Sequence, residues 1–337
     1  MSKTLGLIKR IDIVNKELYK KRNYSSISTK ELIKKSIENN SLAQSIEYYD
    51  GLAEGLRILG TFYCYEGDAE SALQTIRRAE NICDNFPVDQ RILAHIYNAY
   101  IYLYSEVMKD FNLSAQYSQK GLELAKKLNM PHLIAKITIN YGVICNSEKM
   151  YDEALESLLT SLKYGQIAND GYIIMYSYEN LGEVYYHLLD YNNSEKHFNL
   201  ALEKEKEIED QIINAECKKW LGLITYQRGE KDKAFSRLEE VREYVKRNQL
   251  RQLEVSVSFD LLKLYLESDR LNKIQILARS LYDLIKDFDS SIFYADYYRI
   301  MSKYYYKLAN YNEAYKNLEL HTDYLKKVYS NKESKDI

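Results

Sequence analysis

Histidines and cysteines are the side chains through which this sequence would most readily hold a metal ion or carry a nucleophile. No HExxH metal motif, GxSxG nucleophile motif or phosphate-binding glycine loop occurs in it. The four cysteines are widely separated and form no CxxC pair, so neither a metal site nor a disulfide framework is indicated. We therefore expect histidines at helix surfaces and packing seams, buried reduced thiols, and no metal ion or cofactor. These residues are His95, His132, His187, His197 and His321, and Cys64, Cys83, Cys145 and Cys217.

Carboxylates are numerous, but their distribution indicates solvated surfaces and not catalysis. The 337-residue chain has 49 acidic and 47 basic residues, interleaved as in LEKEKEIEDQ at 202–211, which is typical of exposed helix faces. No pair stands out as a general acid and base, so we expect a protein that is not an enzyme. The formal net charge of −2 provides no general attraction to nucleic acid.

The composition predicts a folded and largely helical protein. Hydrophobic residues make up 46% of the chain and charged residues 28%, which excludes a disordered segment. Two prolines and 12 glycines are too few for the many turns of a strand-rich fold. The sequence has no apolar run of about 18 residues that would span a membrane. Reduced thiols favour a cytoplasmic location.

A repeat with a period of about 40 residues organises the chain. A glycine recurs once per repeat, and a small residue follows each glycine twelve positions later. The glycines are Gly142, Gly182 and Gly222, and the small residues are Ala154, Ser194 and Ala234. Gly60 belongs to the same frame, but it precedes Gly142 by slightly more than two repeats. We expect the extra residues of this irregular unit to lie around Lys109 to Asn112.

Each repeat unit is expected to be a pair of antiparallel helices. Apolar residues recur at helical spacing in each half of a unit, as at Leu181, Val184, Tyr185 and Leu188. Polar loops such as EGDAES and RGEKDK separate the halves, and both prolines fall between units. Two helices approach closely only where their side chains are small, so each glycine should pack against the small residue of the second helix. The sequence thus predicts an all-α fold, an α-solenoid of about seven helix pairs.

Residues 181–201 resemble a tetratricopeptide repeat (TPR). The pattern is Leu-Gly, a tyrosine three residues later, a loop tyrosine, a small residue, an aromatic residue four further on and an alanine three beyond it. Its members here are Leu181, Gly182, Tyr185, Tyr191, Ser194, Phe198 and Ala201. The usual repeat has about 34 residues, and the longer spacing here resembles a long bacterial variant. The resemblance covers about four fifths of the chain and implies a right-handed solenoid whose concave face binds peptide or protein segments.

The resemblance also suggests a domain organisation. We expect N-terminal capping helices at 1–48, a solenoid at 49–326 and a C-terminal helix end or tail at 327–337. The basic N-terminal segment has an apolar stripe, which fits a cap over the first repeat or, alternatively, a helix on a membrane surface. The units are expected near 49–88, 89–130, 131–168, 169–208, 209–248, 249–288 and 289–326.

The resemblance implies that the first helix of each unit lines the concave groove. The position two before the glycine is often asparagine in such repeats, and the positions one and four after the glycine also face inward. The expected ligand-binding residues are Asn140, Asn180, Glu183, Tyr186, Asn146, Tyr226 and Lys303. Asn140 and Asn180, one repeat apart, would hold an extended peptide by its main chain. The alternative is that these asparagines only solvate the groove.

These features predict a cytoplasmic, non-enzymatic module that binds a protein or peptide segment and does not bind nucleic acid directly. Residues 311–337 resemble the last repeat of the TPR sensor region in bacterial signalling proteins of the diguanylate cyclase or histidine kinase type, or simply a C-terminal capping helix. The alternative is a resemblance to the peptide-pheromone receptors of Gram-positive bacteria, which regulate transcription or phosphotransfer. Residues 1–48 are short for the N-terminal effector that such receptors usually carry. The ligand and the oligomeric state stay open.

Overall fold

The computed structural model describes residues 2–21, 28–288 and 290–333, and these residues contain sixteen α-helices and no strand. The helices are α1 (Ser2–Lys21), α2 (Thr29–Ser45), α3 (Tyr49–Glu66), α4 (Ala69–Asn85), α5 (Gln90–Tyr102), α6 (Phe111–Lys127), α7 (Pro131–Ser147), α8 (Tyr151–Ile167), α9 (Gly171–His187), α10 (Tyr191–Ile208), α11 (Gln211–Gln227), α12 (Lys231–Arg247), α13 (Arg251–Glu267), α14 (Leu271–Ile285), α15 (Ser291–Lys307) and α16 (Tyr311–Glu333). Part of the expected C-terminal tail, residues 334–337, lies outside the described residues.

The chain divides into two compact units, Met1–Leu188 and Leu189–Ile337. In the first unit, α3 packs on α4, α5 on α6 and α7 on α8, and the first helices α3, α5, α7 and α9 contact one another in order. In the second unit, α11 packs on α12, α13 on α14 and α15 on α16, and α11, α13 and α15 form the corresponding series. In both units, therefore, the first helices of neighbouring pairs lie side by side. The predicted all-α architecture of helix pairs is confirmed.

Most helices end where one residue of the following loop adopts the left-handed conformation. From 129 to 269 this conformation recurs every twenty residues, and it recurs again at 309. Eight of these nine loops use a residue other than glycine; the exception is Gly229, with a φ of 87°. The next helix begins at once, and several helices are preceded by an N-cap aspartate whose side chain accepts backbone N–H groups, as Asp170 does from Ile173 at 3.0 Å. The loop residue after a helix and the N-cap residue before the next one thus determine where each helix ends and begins.

The irregular second repeat contains a segment of π-helix. Residues Leu103–Met108 continue α5 with wider turns, and Lys109 ends the segment at a φ of 57°. A π-helical turn accommodates additional residues without breaking the helix. The extra residues expected around Lys109 to Asn112 therefore begin earlier, inside the helix itself.

Glycines create the close approach between the helices of a pair. A Cβ atom added at Gly142 would lie 2.7 Å from Cγ of Leu158 and 3.3 Å from the carbonyl oxygen of Ala154. At Gly60 the corresponding distances are 2.5 Å to Ile76 and 3.4 Å to the carbonyl oxygen of Ala72. These are the glycine and alanine pairs that the repeat predicts, and a larger side chain does not fit between them.

The apolar stripe of the N-terminal helix α1 packs against other helices inside the fold. Ile11 and Leu18 of α1 are buried, and Leu18 packs in a cluster with Leu32 of α2 and with Phe62 of α3. Asn15 adds a hydrogen bond from its Nδ2 to the carbonyl oxygen of Gly51 at 2.9 Å. These contacts favour a capping role for α1 over contact with a membrane surface. None of the helices in the described part of the chain has the length and apolarity needed to cross a membrane.

We predict that Gly142→Val lowers the free energy of unfolding by about 1–3 kcal/mol, because the added methyl groups overpack the contact with Leu158 and Ala154. Gly6→Val in α1 is the matched control, since a Cβ atom at Gly6 meets nothing within 4 Å. Urea denaturation followed by circular dichroism measures both variants. Equal unfolding free energies for the two variants would contradict the close-approach account.

Candidate functional site

In each unit we call the surface formed by the first helices its first-helix face. It is lined by α3, α5, α7 and α9 in the first unit and by α11, α13 and α15 in the second. All expected ligand-binding residues lie on these helices. The first unit carries Asn140, Asn146, Asn180, Glu183 and Tyr186, and the second carries Tyr226 and Lys303.

The two asparagines at equivalent repeat positions have different surroundings. Asn140 is partly buried, and its amide makes no hydrogen bond to any described residue. Asn180 is only 9% exposed, and its Nδ2 donates to the carbonyl oxygen of Tyr176 at 2.8 Å and to Oε2 of Glu179 at 2.7 Å. Both hydrogens of the Asn180 amide are therefore used within α9. Asn140 can donate and accept, whereas Asn180 has only its oxygen to offer.

A hydrogen bond between the side chains of Asn146 and Glu183 joins α7 to α9. Nδ2 of Asn146 donates to Oε1 of Glu183 at 3.0 Å, and Nε2 of His187 lies 3.7 Å from the same oxygen. The ring of Tyr186 meets that of His187 edge-on, with centroids 5.8 Å apart. Oδ1 of Asn146 is buried and accepts no hydrogen bond from the described residues. An unsatisfied buried carbonyl is costly, so this oxygen would gain from a hydrogen-bond donor such as a water molecule or a ligand group.

In the second unit, the two expected residues differ in how much surface they present. Tyr226 is buried, and its hydroxyl lies 2.8 Å from Oγ of Ser268, so little of the ring is left for a ligand. Lys303 is exposed and lines a pocket of about 510 Å³ between α13 and α15. The other lining residues are Leu266, Glu267, Ser302, Tyr306 and Lys307.

A second pocket, of about 530 Å³, opens between α11, α13 and α15. Phe259 and Phe293 contribute aromatic walls, and Asp260 contributes a carboxylate. Asp260 occupies the same repeat position as Asn140 and Asn180. It was not among the ligand-binding residues expected from the sequence. Burial raises the pKa of Asp260 above its usual value, while the charges of Lys219 and Lys263 act in the opposite direction.

Buried charges on the first-helix face were also missed from the sequence. Arg57 is 4% exposed and forms two hydrogen bonds with Glu54, of 2.8 Å and 2.6 Å, and its guanidinium lies 5.2 Å from the ring centre of Tyr19. Burial would raise the pKa of Glu54, but Arg57 outweighs it and the pKa is lowered. In the second unit, Lys219 is 5% exposed and pairs with Glu216 at 2.6 Å.

These charged residues occupy the same positions relative to the repeat glycine, and this pattern is visible in the sequence. Arg57 and Glu54 lie three and six residues before Gly60, and Lys219 and Glu216 lie three and six residues before Gly222. A charged residue that recurs at the same repeat position in an otherwise apolar helix predicts a row of buried polar side chains. In the part of the chain that the structure describes, these groups do not converge into a metal site, since no three His, Cys, Asp or Glu side chains come together.

Comparisons with known proteins agree with this architecture. The sequence model of the SusR N-terminal TPR domain matches residues 89–292, which is more than half of the chain. No curated protein sequence matches. The TPR resemblance is therefore confirmed.

The solved structures that are similar in fold include the following three. Apo RapI is 14% identical, with a TM-score of 0.67 over 82% of this chain and 99% of its own. A STAND protein with a tetratricopeptide repeat sensor from Pyrococcus horikoshii is 16% identical, with a TM-score of 0.65 over 98% of this chain and 54% of its own. The Rap conjugation gene regulator of plasmid pLS20, in complex with the Phr* peptide, is 12% identical, with a TM-score of 0.60 over 95% of this chain and 96% of its own.

Glu54→Gln should lower the free energy of unfolding by about 1–3 kcal/mol, because it leaves the buried Arg57 guanidinium without a counter-charge. Glu31→Gln is the control, since the pair of Glu31 with Lys35 is exposed on both sides, at 53% and 46%, and such pairs contribute little. Urea denaturation at neutral pH measures the difference. An unfolding free energy as high as that of Glu31→Gln would show that Arg57 does not need its partner.

Proposed function

The chain belongs to the family of the SusR N-terminal TPR domain, and from this membership we propose that it is a non-enzymatic peptide-binding module of a bacterial signalling system. One observation carries the proposal. In the first unit, the first-helix face carries polar groups without a hydrogen-bond partner among the described residues, namely the Asn140 amide and Oδ1 of Asn146. The second unit, taken by itself, has pockets of about 510 and 530 Å³ on its own first helices.

The chemistry of this face suits an extended peptide. Such a peptide presents one N–H and one C=O group per residue, and an asparagine amide can pair with both. Asn140 can make both bonds, and the free oxygen of Asn180 can accept a peptide N–H. In the second unit, taken by itself, the pocket walls Phe259 and Phe293 would receive apolar side chains of a ligand. The site proposed in the first unit therefore recognises the main chain of a peptide.

The cytoplasm is the proposed location. All four cysteines are buried with free thiols, which suits a reducing compartment.

The proposal is tested with an array of N-acetylated decapeptides probed with the full chain, followed by affinity measurements on the peptides that bind. Asn140→Ala/Asn180→Ala should weaken binding at least about tenfold, since three net hydrogen bonds of about 0.5–1.5 kcal/mol each are lost. The control is Asn112→Ala, an exposed asparagine on the second helix α6. Unchanged affinity in the double variant would refute the main-chain role, and an array without binders would refute the function.

A second candidate is a peptide-pheromone-type receptor that regulates transcription or phosphotransfer. The observation that favours it is the similarity in fold to the Rap gene regulator that was solved with its Phr* peptide. The reading frame of the natural gene after Ile337 separates the two candidates. Continuation into a signalling domain supports a sensor with a covalent output, whereas termination supports a receptor that acts on a separate partner.

A further inference from the structure

We propose that the groove between the second helices α10 and α12, lined by Lys218, Arg237 and Arg247, binds an acidic amphipathic helix of a partner protein. The groove lies in the second unit, and its floor is α11, which packs on both second helices. It shares no lining residue with the two pockets on the first-helix face of this unit. The helix site therefore goes beyond the proposed peptide-binding function and does not depend on it.

Apolar side chains line the middle of the groove, which has a volume of about 590 Å³. They come from all three helices: Leu202 from α10, Leu221 from α11 and Val241 from α12. Leu202 and Leu221 are only partly buried, so they keep apolar surface in contact with solvent. A groove of this kind, with an apolar strip between helices, suits the apolar face of an amphipathic helix.

Three cations give the groove its charge. Lys218, Arg237 and Arg247 are all exposed, and no carboxylate of a described residue forms an ion pair with any of them. Nη1 of Arg237 donates to Oγ1 of Thr225 at 2.7 Å, and Nε of Arg247 donates to the carbonyl oxygen of Glu243 at 3.2 Å. Both acceptors are neutral, so these hydrogen bonds orient the guanidinium groups without balancing their charge.

The two carboxylates that line the same groove do not cancel this charge. Glu195 forms an ion pair with Arg228 at 2.6 Å, so its charge is already balanced. Glu240 accepts a hydrogen bond from Ser236 at 3.3 Å. The lining therefore has an excess of positive charge, which the carboxylates of an acidic partner would neutralise.

The spacing of the cations favours a helix over a small anion. Arg237 and Arg247 are ten residues apart on α12, which corresponds to about 15 Å along the helix axis. Lys218 lies towards the Arg247 end, because its Nζ is 5.8 Å from the ring centre of Tyr244. A single phosphate or carboxylate group reaches only one end of the groove. A partner helix of about three turns reaches both ends, with acidic residues on its flanks and apolar residues facing the strip between them.

The experiment measures the binding of designed peptides to the full chain by fluorescence anisotropy. The probe is an acetylated and amidated peptide of about 18 residues, long enough to form a helix, with leucines on one face and glutamates on its flanks. In two matched peptides, glutamine or lysine replaces every glutamate. The glutamate peptide should bind about tenfold more tightly than the glutamine peptide, since it adds three surface ion pairs to the same apolar contact. The lysine peptide should bind most weakly, and added salt should reduce the differences.

Arg237→Gln/Arg247→Gln should remove most of the preference for glutamate and leave the affinity for the glutamine peptide unchanged. Both arginines are exposed, so the substitutions leave the apolar strip intact. The control is Lys126→Gln/Lys127→Gln, which removes the same charge from exposed positions of α6 in the first unit and should keep the preference.

Three results would overturn the proposal: equal affinities for the glutamate and glutamine peptides, a preference that survives Arg237→Gln/Arg247→Gln, and no binding by any of the peptides. Displacement of the glutamate peptide by millimolar inorganic phosphate at constant ionic strength would assign the groove to a small anion instead. The decapeptide array tests the first-helix face separately, so failure of the helix site and failure of the peptide-binding function are distinguishable.

Discussion

The contact between a glycine of a first helix and the backbone of a small residue in the second helix is the constraint on which the rest of this structure depends. Gly60 faces the carbonyl oxygen of Ala72, and Gly142 faces that of Ala154. At both glycines an added Cβ atom would lie closer to its neighbours than van der Waals contact allows. Because the contact fixes the rotation of each first helix about its own axis, it also fixes which residues point away from the second helix. The first-helix face is thus a consequence of packing.

The polar groups on that face follow from the same constraint. Residues three and six positions before the glycine lie about one helical turn apart on one side of the helix, and there Arg57 and Glu54 form their buried pair. A buried pair contributes little net stability compared with apolar residues of the same shape, although breaking it is costly. The Arg57–Glu54 pair is therefore not a source of net stability, although the fold depends on the pair staying intact.

Much of the fold could be predicted from the sequence, because the recurrence of glycines at one repeat position and the helical spacing within each half are both patterns visible in the chain itself. The candidate site was harder to predict from the sequence. The asparagine position was predicted, but spacing does not reveal that Asn180 gives both of its amide hydrogens to groups in its own helix. Tyr226 was expected in the groove, and its hydroxyl lies against Ser268, the residue that follows α13. The π-helix in the second repeat was visible only as an irregular spacing.

The measurement that tests the central claim most directly is hydrogen exchange, followed by mass spectrometry, on the full chain with and without a bound peptide. If the first-helix face is the binding surface, exchange of backbone amides should slow in α7 and α9 and stay unchanged in the second helices α6 and α8, since binding stabilises the helices it touches. Slower exchange confined to α6 and α8, with α7 and α9 unaffected, would contradict the account.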